Sequence, residues 1–202
     1  RIIAIAERLE RLTYRLSDAV TVLSGDLLDN LTAKVPADRR DDIEVIANFV
    51  DTGVITPGPR DNDYRREHDL TGTVAMYAGN VGFSQSLDIV IEAAKRLPDI
   101  TFVINGDGAA RERLEHDVAG LANVKIVGYQ PAERLPEVLA AADIHLVPLR
   151  TGLGSVSVPS KTYTALAAAR PVIAAVDPGT AIAPPIAHAG CGIAVPPDDA
   201  DA

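Results

Sequence analysis

The chain has 202 residues, 47% of them hydrophobic and 23% charged, a globular composition with enough length for a sizeable core. Nineteen Lys and Arg against 28 Asp and Glu give a formal charge of −9, which argues against general nucleic-acid binding, since that requires a basic face. No apolar run approaches the ~20 residues of a membrane span and there is no signal-peptide layout; the single cysteine, Cys191, excludes an internal disulfide or cysteine metal cluster and fits a reducing cytoplasm.

In chain order, residues 1–17 place Ile5, Leu9, Leu12 and Leu16 at helical spacing among Arg and Glu. The chain opens at Arg1 inside this helical pattern, without an initiator Met, and is expected to be a piece of a longer protein. A short strand is predicted over 20–23, with Ser24 as the N-cap of a helix over 26–34, and another strand over 43–46. Residues 48–60 carry two Pro and two Gly, and 61–69 are charged without apolar periodicity, so 48–61 reads as an interdomain crossing. From Leu70 the rhythm changes. Strands over 73–78, 100–105, 124–127, 144–147, 171–176 and 192–195 alternate with helices over 84–96, 109–119, 132–141, 160–169 and 180–189. Continuously apolar strands between amphipathic helices predict an α/β, Rossmann-like, doubly wound parallel sheet.

Ligands of such sheets bind outside the carboxyl ends of the strands, so the loops after each strand hold the candidate sites. Gly79-Asn80-Val81-Gly82 follows the strand TVAMYA, and its two glycines let backbone N–H groups approach an anion; a plain tight turn explains it equally well. Asn105-Gly106-Asp107-Gly108 reads first as a βα turn, with Asp107 a helix N-cap rather than a catalytic acid. In RTGLGSVSVPSKTYTALAAA (150–169) a glycine-rich loop runs into Pro159, Ser160 and Lys161, setting a lysine beside unsatisfied helix N–H groups, an arrangement suited to a diphosphate. From Ile144 to Val176 there is no Asp or Glu, where the chain average predicts roughly four or five, while Arg150, Lys161 and Arg170 are present. Leu70 to Leu87 is equally free of acids. Buried strands explain part of this depletion, and an anionic ligand between the two loops explains the rest. Asp61-Asn62-Asp63 spells a D-x-D metal motif but lies in the connector, where a turn or helix cap is the simpler reading. The four His lack metal spacing; His145, in an apolar strand, reads as a core residue, and Cys191 as structural.

The order of segments resembles the C-terminal half of retaining glycosyltransferases of the GT-B fold, family 4-like, group 1. YRLSDAVTVLSGDLLDNL followed by VIANFVD is similar to the family's hinge, and MYAGNVGFSQSLDIVIEAAKRLPDITFVINGDGAARERLE to its first nucleotide-binding unit. NVKIVGYQPAERLPEVLAAADIHLVPL and VPSKTYTALAAARPVIAA resemble the donor-base segment and the end of the site, closest to branches acting in capsule, O-antigen or exopolysaccharide assembly. The resemblance implies one half of a GT-B fold: residues 1–47 a remnant of the acceptor domain, and 48–202 a nucleotide-sugar domain lacking its closing helix. It implies that Gly79, Asn80, Gly82, Ser160 and Lys161 face the donor diphosphate and that Tyr129, Gln130 and Thr164 lie at the base and ribose. Lys161 and Arg150 are then the candidate catalytic cations. Two departures stand out: Thr164 replaces a ribose-binding glutamate, with Thr151 or Val156 in the place of its partner, and Asn80 and Gln85 stand near the family's basic pair.

The implied reaction moves a sugar from a nucleoside-diphosphate sugar, UDP favoured over GDP, to an acceptor hydroxyl with retention, without a metal or other cofactor. The implied partners are the nucleotide sugar and a lipid-linked saccharide acceptor, with no nucleic acid, in the cytoplasm or at the inner face of the plasma membrane. Peripheral membrane contact would fall to the rest of the N-terminal domain, and the isolated chain is expected to lack turnover. The alternatives are a non-catalytic nucleotide-sugar-binding subunit working with a partner chain, and a UDP-sugar epimerase of the same fold. A dinucleotide oxidoreductase is disfavoured, because residues 79–84 read GNVGFS instead of G-x-G-x-x-G.

Overall fold

The structure, a computed structural model, describes residues 2–202. Its larger unit is a six-stranded, wholly parallel sheet of β3 (Thr73–Ala78), β4 (Ile100–Asn105), β5 (Val124–Val127), β6 (Ile144–Pro148), β7 (Val172–Ala175) and β8 (Gly192–Val195), as the alternation predicts. The strand order β5-β4-β3-β6-β7-β8 places the topological switch between β3 and β6, whose register aligns Met76 with His145. Every strand is returned to the same end of the sheet by a helical crossover, so the loops after β3 and β6 open side by side.

Continuous apolar character is needed because both faces of the sheet are covered. Within β3, Ala75 and Tyr77 join Val90, Ile91 and Ala94 of α4 (Leu87–Arg96) and Leu114 of α5 (Arg111–Asp117). Val74 and Met76 point the other way, onto Tyr64 of α3 (Asp63–Glu67) and Val138 of α6 (Leu135–Ala140). A further cluster joins Val147, Val172 and Ala174 to Ala165 of α7 (Lys161–Ala167) and Ile186 of α8 (Ala183–Ala189). Each buried Val, Leu, Ile or Met side chain among these contributes about 1.5–3 kcal/mol by leaving water.

Where the sheet strands begin, one ion-pair network fixes the stagger of the elements. Arg65 is buried and donates to the carbonyls of Ala141 (2.7 Å) and Gly72 (3.1 Å) and to Asp143 (2.6 Å). Asp143 also accepts from Arg60 (2.9 Å) and from the Val74 amide (2.8 Å). Burial alone would raise the Asp143 carboxyl, but the Val74 amide and the two guanidinium groups outweigh it and hold it below the usual range.

The smaller unit comprises α1 (Ile2–Leu16), β1 (Val20–Val22), α2 (Gly25–Thr32), a 3-10 turn over Ala37–Asp42 and β2 (Ile43–Val45). β1 and β2 pair in parallel, with Val20 opposite Ile43, around a small cluster of Val22, Leu31 and Val35. α1 is attached through Tyr14 and a Glu10–Lys34 pair (3.0 Å), while Ile2, Ile5, Leu9, Leu12 and Leu16 stay exposed.

Several local expectations need correction. The charged segment 61–69, which shows no apolar periodicity and for which no helix was predicted, contains α3: Asn62 caps it by accepting from the Arg65 amide (3.1 Å), in line with the cap reading of Asp61-Asn62-Asp63, and Tyr64 is wholly buried. Asp107 is not a helix cap: its carboxylate accepts from the adjacent Gly108 amide (2.7 Å), and α5 starts only at Arg111. The helix predicted over 132–141 divides into a 3-10 turn, Ala132–Arg134, and α6, and the helix predicted over 84–96 starts at Leu87. Ser24 does precede α2 as its N-cap residue, but its side chain makes no cap bond. The segment 48–61, read as an interdomain crossing, packs on the larger unit through Ile55 against Leu139 and Ala168 and through the Gly58 carbonyl held by Arg170 (2.9 Å).

Candidate functional site

The carboxyl ends of β3 and β6 frame a cleft of about 200 Å³ whose lining includes Tyr77, Gln85, Pro148, Ser157, Ser160 and Lys161. Lys161 starts α7 and folds back over β3, its Nζ 5.6 Å from the centroid of the Tyr77 ring. Burial depresses the basicity of this ammonium group. Among the described residues no carboxylate forms an ion pair with it. A half-buried cation without a counter-ion, facing a polar cleft, attracts an anion at little desolvation cost beyond what folding has already met. The Tyr77 phenol is pushed up by burial and donates to the Asn80 carbonyl, which sets the start of the first glycine loop.

That loop owes its shape to backbone proximity. Gly79 has φ +150°, and a Cβ there would lie 1.9 Å from Lys161 Cε, so the missing side chain is what lets the lysine cross β3. A Cβ on Gly106 would lie 1.8 Å from the Gly79 carbonyl oxygen, and one on Gly108 2.4 Å from that of Val81. The second glycine loop is thus packed against the first, as the turn reading has it. Gly82 donates its amide to the Gln85 side chain (3.1 Å), and its α-carbon lies beside the Asn80 side chain.

Of the residues singled out in the sequence, Gly79, Ser160 and Lys161 meet at this cleft, with Asn80 and Gly82 farther along the same loop. Arg150 is turned elsewhere. Its guanidinium donates to the Phe83 carbonyl (2.6 Å) and Asp88 (3.1 Å), and its amide to the Ser84 carbonyl (3.1 Å), so it ties the β3 and β6 loops together. Thr164 lies one turn beyond Lys161 and donates its hydroxyl to the Lys161 carbonyl (3.0 Å). Tyr129 and Gln130 follow β5 at the sheet edge; Tyr129 is 58% exposed, and Gln130 donates to the Gly128 carbonyl (3.3 Å). Asp61 and Asp63 of the D-x-D pair with Arg60 and Arg66 respectively. His145 is in the core, donating Nε2–H to the Leu139 carbonyl (3.0 Å).

Tyr77 and Ser157 escaped the sequence reading because nothing distinguishes a strand-end tyrosine or a loop serine before the fold joins them, whereas Gln85, placed near the family's basic pair, does line the cleft. Two carboxylates were missed as well. Asp177, after β7, accepts from the amides of Gly152 (2.8 Å) and Gly154 (3.0 Å). Asp198, after β8, accepts from the Thr151 amide (2.9 Å) and the Ser86 hydroxyl. The Ser86 hydroxyl first, and then the Thr151 amide, hold Asp198 below the usual carboxylate range. Their signal was positional: Asp177 stands two residues beyond β7 and Asp198 three beyond β8.

With this geometry in hand, comparison with known proteins identifies the lineage. The sequence profile of the Glycosyl transferases group 1 family matches residues 72–202, the whole of the six-stranded sheet. The chain is 28% identical over 201 residues to the probable glycosyltransferase WbjE of Pseudomonas aeruginosa, covering 96% of this chain and 50% of that protein. It is 39% identical over 98 residues to the putative colanic acid biosynthesis glycosyl transferase WcaI of Escherichia coli, covering 46% of this chain and 24% of that one. The chain thus spans half or less of these curated relatives. Among solved structures, sucrose-phosphate synthase from Thermosynechococcus elongatus superposes with a TM-score of 0.78 at 21% identity, over 97% of this chain and 49% of that one. Anabaena HepE, crystallised with UDP and glucose, superposes at 0.72 and 20% identity, over 96% and 54%. These likenesses share the fold, the parallel sheet forming half of a GT-B architecture. The family match over most of the chain, carried by the unit that holds the Lys161 cleft, makes this protein a member of the group 1 glycosyl transferases.

Proposed function

We propose that this chain is the donor-binding half of a glycosyltransferase that takes its sugar from a nucleoside-diphosphate sugar. The observation that carries the reading is Lys161, a half-buried cation without a carboxylate partner, poised over the switch point of the sheet. A diphosphate in the cleft would meet Lys161, the Ser160 hydroxyl and the loop that begins at Gly79. As the anomeric C–O bond breaks and its electron pair leaves on the diphosphate, Lys161 stabilises the growing charge; the acceptor oxygen bonds to the anomeric carbon and passes its proton to the departing diphosphate oxygen. Arg150 serves this site by holding its two loops together. Tyr129, Gln130 and Thr164 are assigned to the base and ribose, toward β5 and along α7.

UDP is the favoured nucleotide, supported by the HepE complex with UDP and glucose. In this reading transfer proceeds with retention and without a metal, and an acceptor belonging to a polysaccharide or cell-envelope glycan is supported by the relative WcaI, named for colanic acid biosynthesis. A lipid-linked acceptor at the inner face of the plasma membrane belongs to the same proposal; among the described residues no helix is long and apolar enough to cross a membrane. The separate core of Val22, Leu31 and Val35 supports reading residues 1–47 as part of an acceptor domain.

Calorimetric titration tests this reading. The chain is expected to bind UDP more tightly than uridine, and Lys161→Ala to raise the UDP Kd at least about tenfold while uridine changes less than about twofold. Equal losses for both ligands would remove Lys161 from a phosphate site, and a parallel thermal-shift series with UDP, GDP and ADP identifies the base.

A further inference from the structure

The two loops that frame the Lys161 cleft come from opposite sides of the switch point, and a third segment joins them. After β8 the chain turns at Asp198, a non-glycine residue with φ +56°, a left-handed conformation for which Asp is one of the few tolerated side chains. This turn brings the Asp198 carboxylate back to the loops after β3 and β6 at once. One oxygen accepts from the Ser86 hydroxyl and the other from the Thr151 amide (2.9 Å). Ser86 is only 2% exposed and occupies the N-cap position of α4, yet makes no cap bond with the helix, its hydroxyl being committed to Asp198. Arg150, the neighbour of Thr151, makes a second tie between the same loops through Phe83, Ser84 and Asp88.

We infer that Asp198 is a positioning residue for the donor site: it sets the separation of the 79–86 and 150–160 loops, so that Gln85, Ser160 and Lys161 face one diphosphate. This rests on the donor-site reading above, and it places a carboxylate from a distant segment in command of a phosphate pocket that it does not itself touch. Without it, the Ser86 hydroxyl and the Thr151 amide lose their shared acceptor, and each loop is free to seek water independently.

The test compares UDP and uridine binding to the unmodified chain, Asp198→Ala and Asp198→Asn. The alanine variant is expected to raise the UDP Kd about tenfold and the uridine Kd less than about twofold. The asparagine variant, which still offers Thr151 an acceptor and Ser86 a polar partner, is expected to stay within about threefold of the unmodified chain. Amide hydrogen exchange should quicken at 79–86 and 151–154 in the alanine variant and not at β4. If that variant does not fold, Ser86→Ala severs the same tie at its other end and is expected to produce the same selective loss. UDP affinity left within about twofold by the severed tie, or an equal loss for UDP and uridine, overturns the positioning role alone. Failure of the unmodified chain to bind UDP overturns the donor-site reading and this role with it.

Discussion

Gly79 and Lys161 act as one unit. The glycine sits at φ +150°, and its bare α-carbon leaves the gap through which the lysine methylenes cross β3. Gly79→Ala therefore adds backbone strain of about 1–3 kcal/mol and pushes Lys161 out of the cleft. Unfolding titrations should report the first effect and UDP binding the second, as an affinity loss similar to that of Lys161→Ala. The double variant should bind UDP no more weakly than either single one, because both remove the same contact. An additive loss would separate the two residues. The sequence showed a glycine after a strand and a lysine before a helix, 82 positions apart, and nothing in either segment says that they touch. It did show a glycine-rich loop running into a helix start at Lys161, and the absence of acids around both segments supported singling that lysine out.

At the scale of a single element, β6 carries three different duties within a few residues. Asp143 anchors its entrance, His145 lies in its middle, and Arg150 just past its end ties the site loops. His145 is 3% exposed, and burial depresses its pKa to about 4, so it remains neutral in the native state at ordinary pH. In the unfolded chain it titrates near 6.5, so between those two values the unfolded state binds the extra proton and stability falls on acidification. The slope from this residue approaches about 1.4 kcal/mol per pH unit. Urea unfolding at pH 7 and pH 5 should show this dependence, and His145→Gln, which keeps a donor for the Leu139 carbonyl, should flatten it; an unchanged slope would assign the acid sensitivity elsewhere. Strands such as β6 were the most legible part of the chain, since burial on two faces demands uninterrupted apolar residues. Helix starts were less so: residues 84–86 look helical but form a turn, because Ser86 serves Asp198 across 112 positions. α3 was hidden by its own charges, Arg65 being a buried residue disguised as a surface one.

Across the whole molecule, the buried ion-pair network and the candidate donor cleft occupy opposite ends of the sheet. Arg60, Arg65 and Asp143 bind the elements together where the strands begin, whereas Lys161, Gln85 and Ser160 gather where β3 and β6 end. Asp143→Ala leaves the Arg65 guanidinium buried without its carboxylate, and should cost about 3 kcal/mol or more of unfolding free energy. The folded fraction should still bind UDP within about twofold of the unmodified chain, and a larger loss would show that the two ends communicate. The unpaired charge of Lys161 also has a consequence for how the protein withstands heat. Folding withdraws that ammonium group from water and gives it no carboxylate in exchange, so part of its desolvation cost persists until an anion arrives. A nucleotide that binds there is linked to folding by mass action: above its Kd, each tenfold rise in its concentration adds about 1.4 kcal/mol to the unfolding free energy. The cell's supply of donor would then set not only how often this cleft is filled but how long the chain that carries it endures.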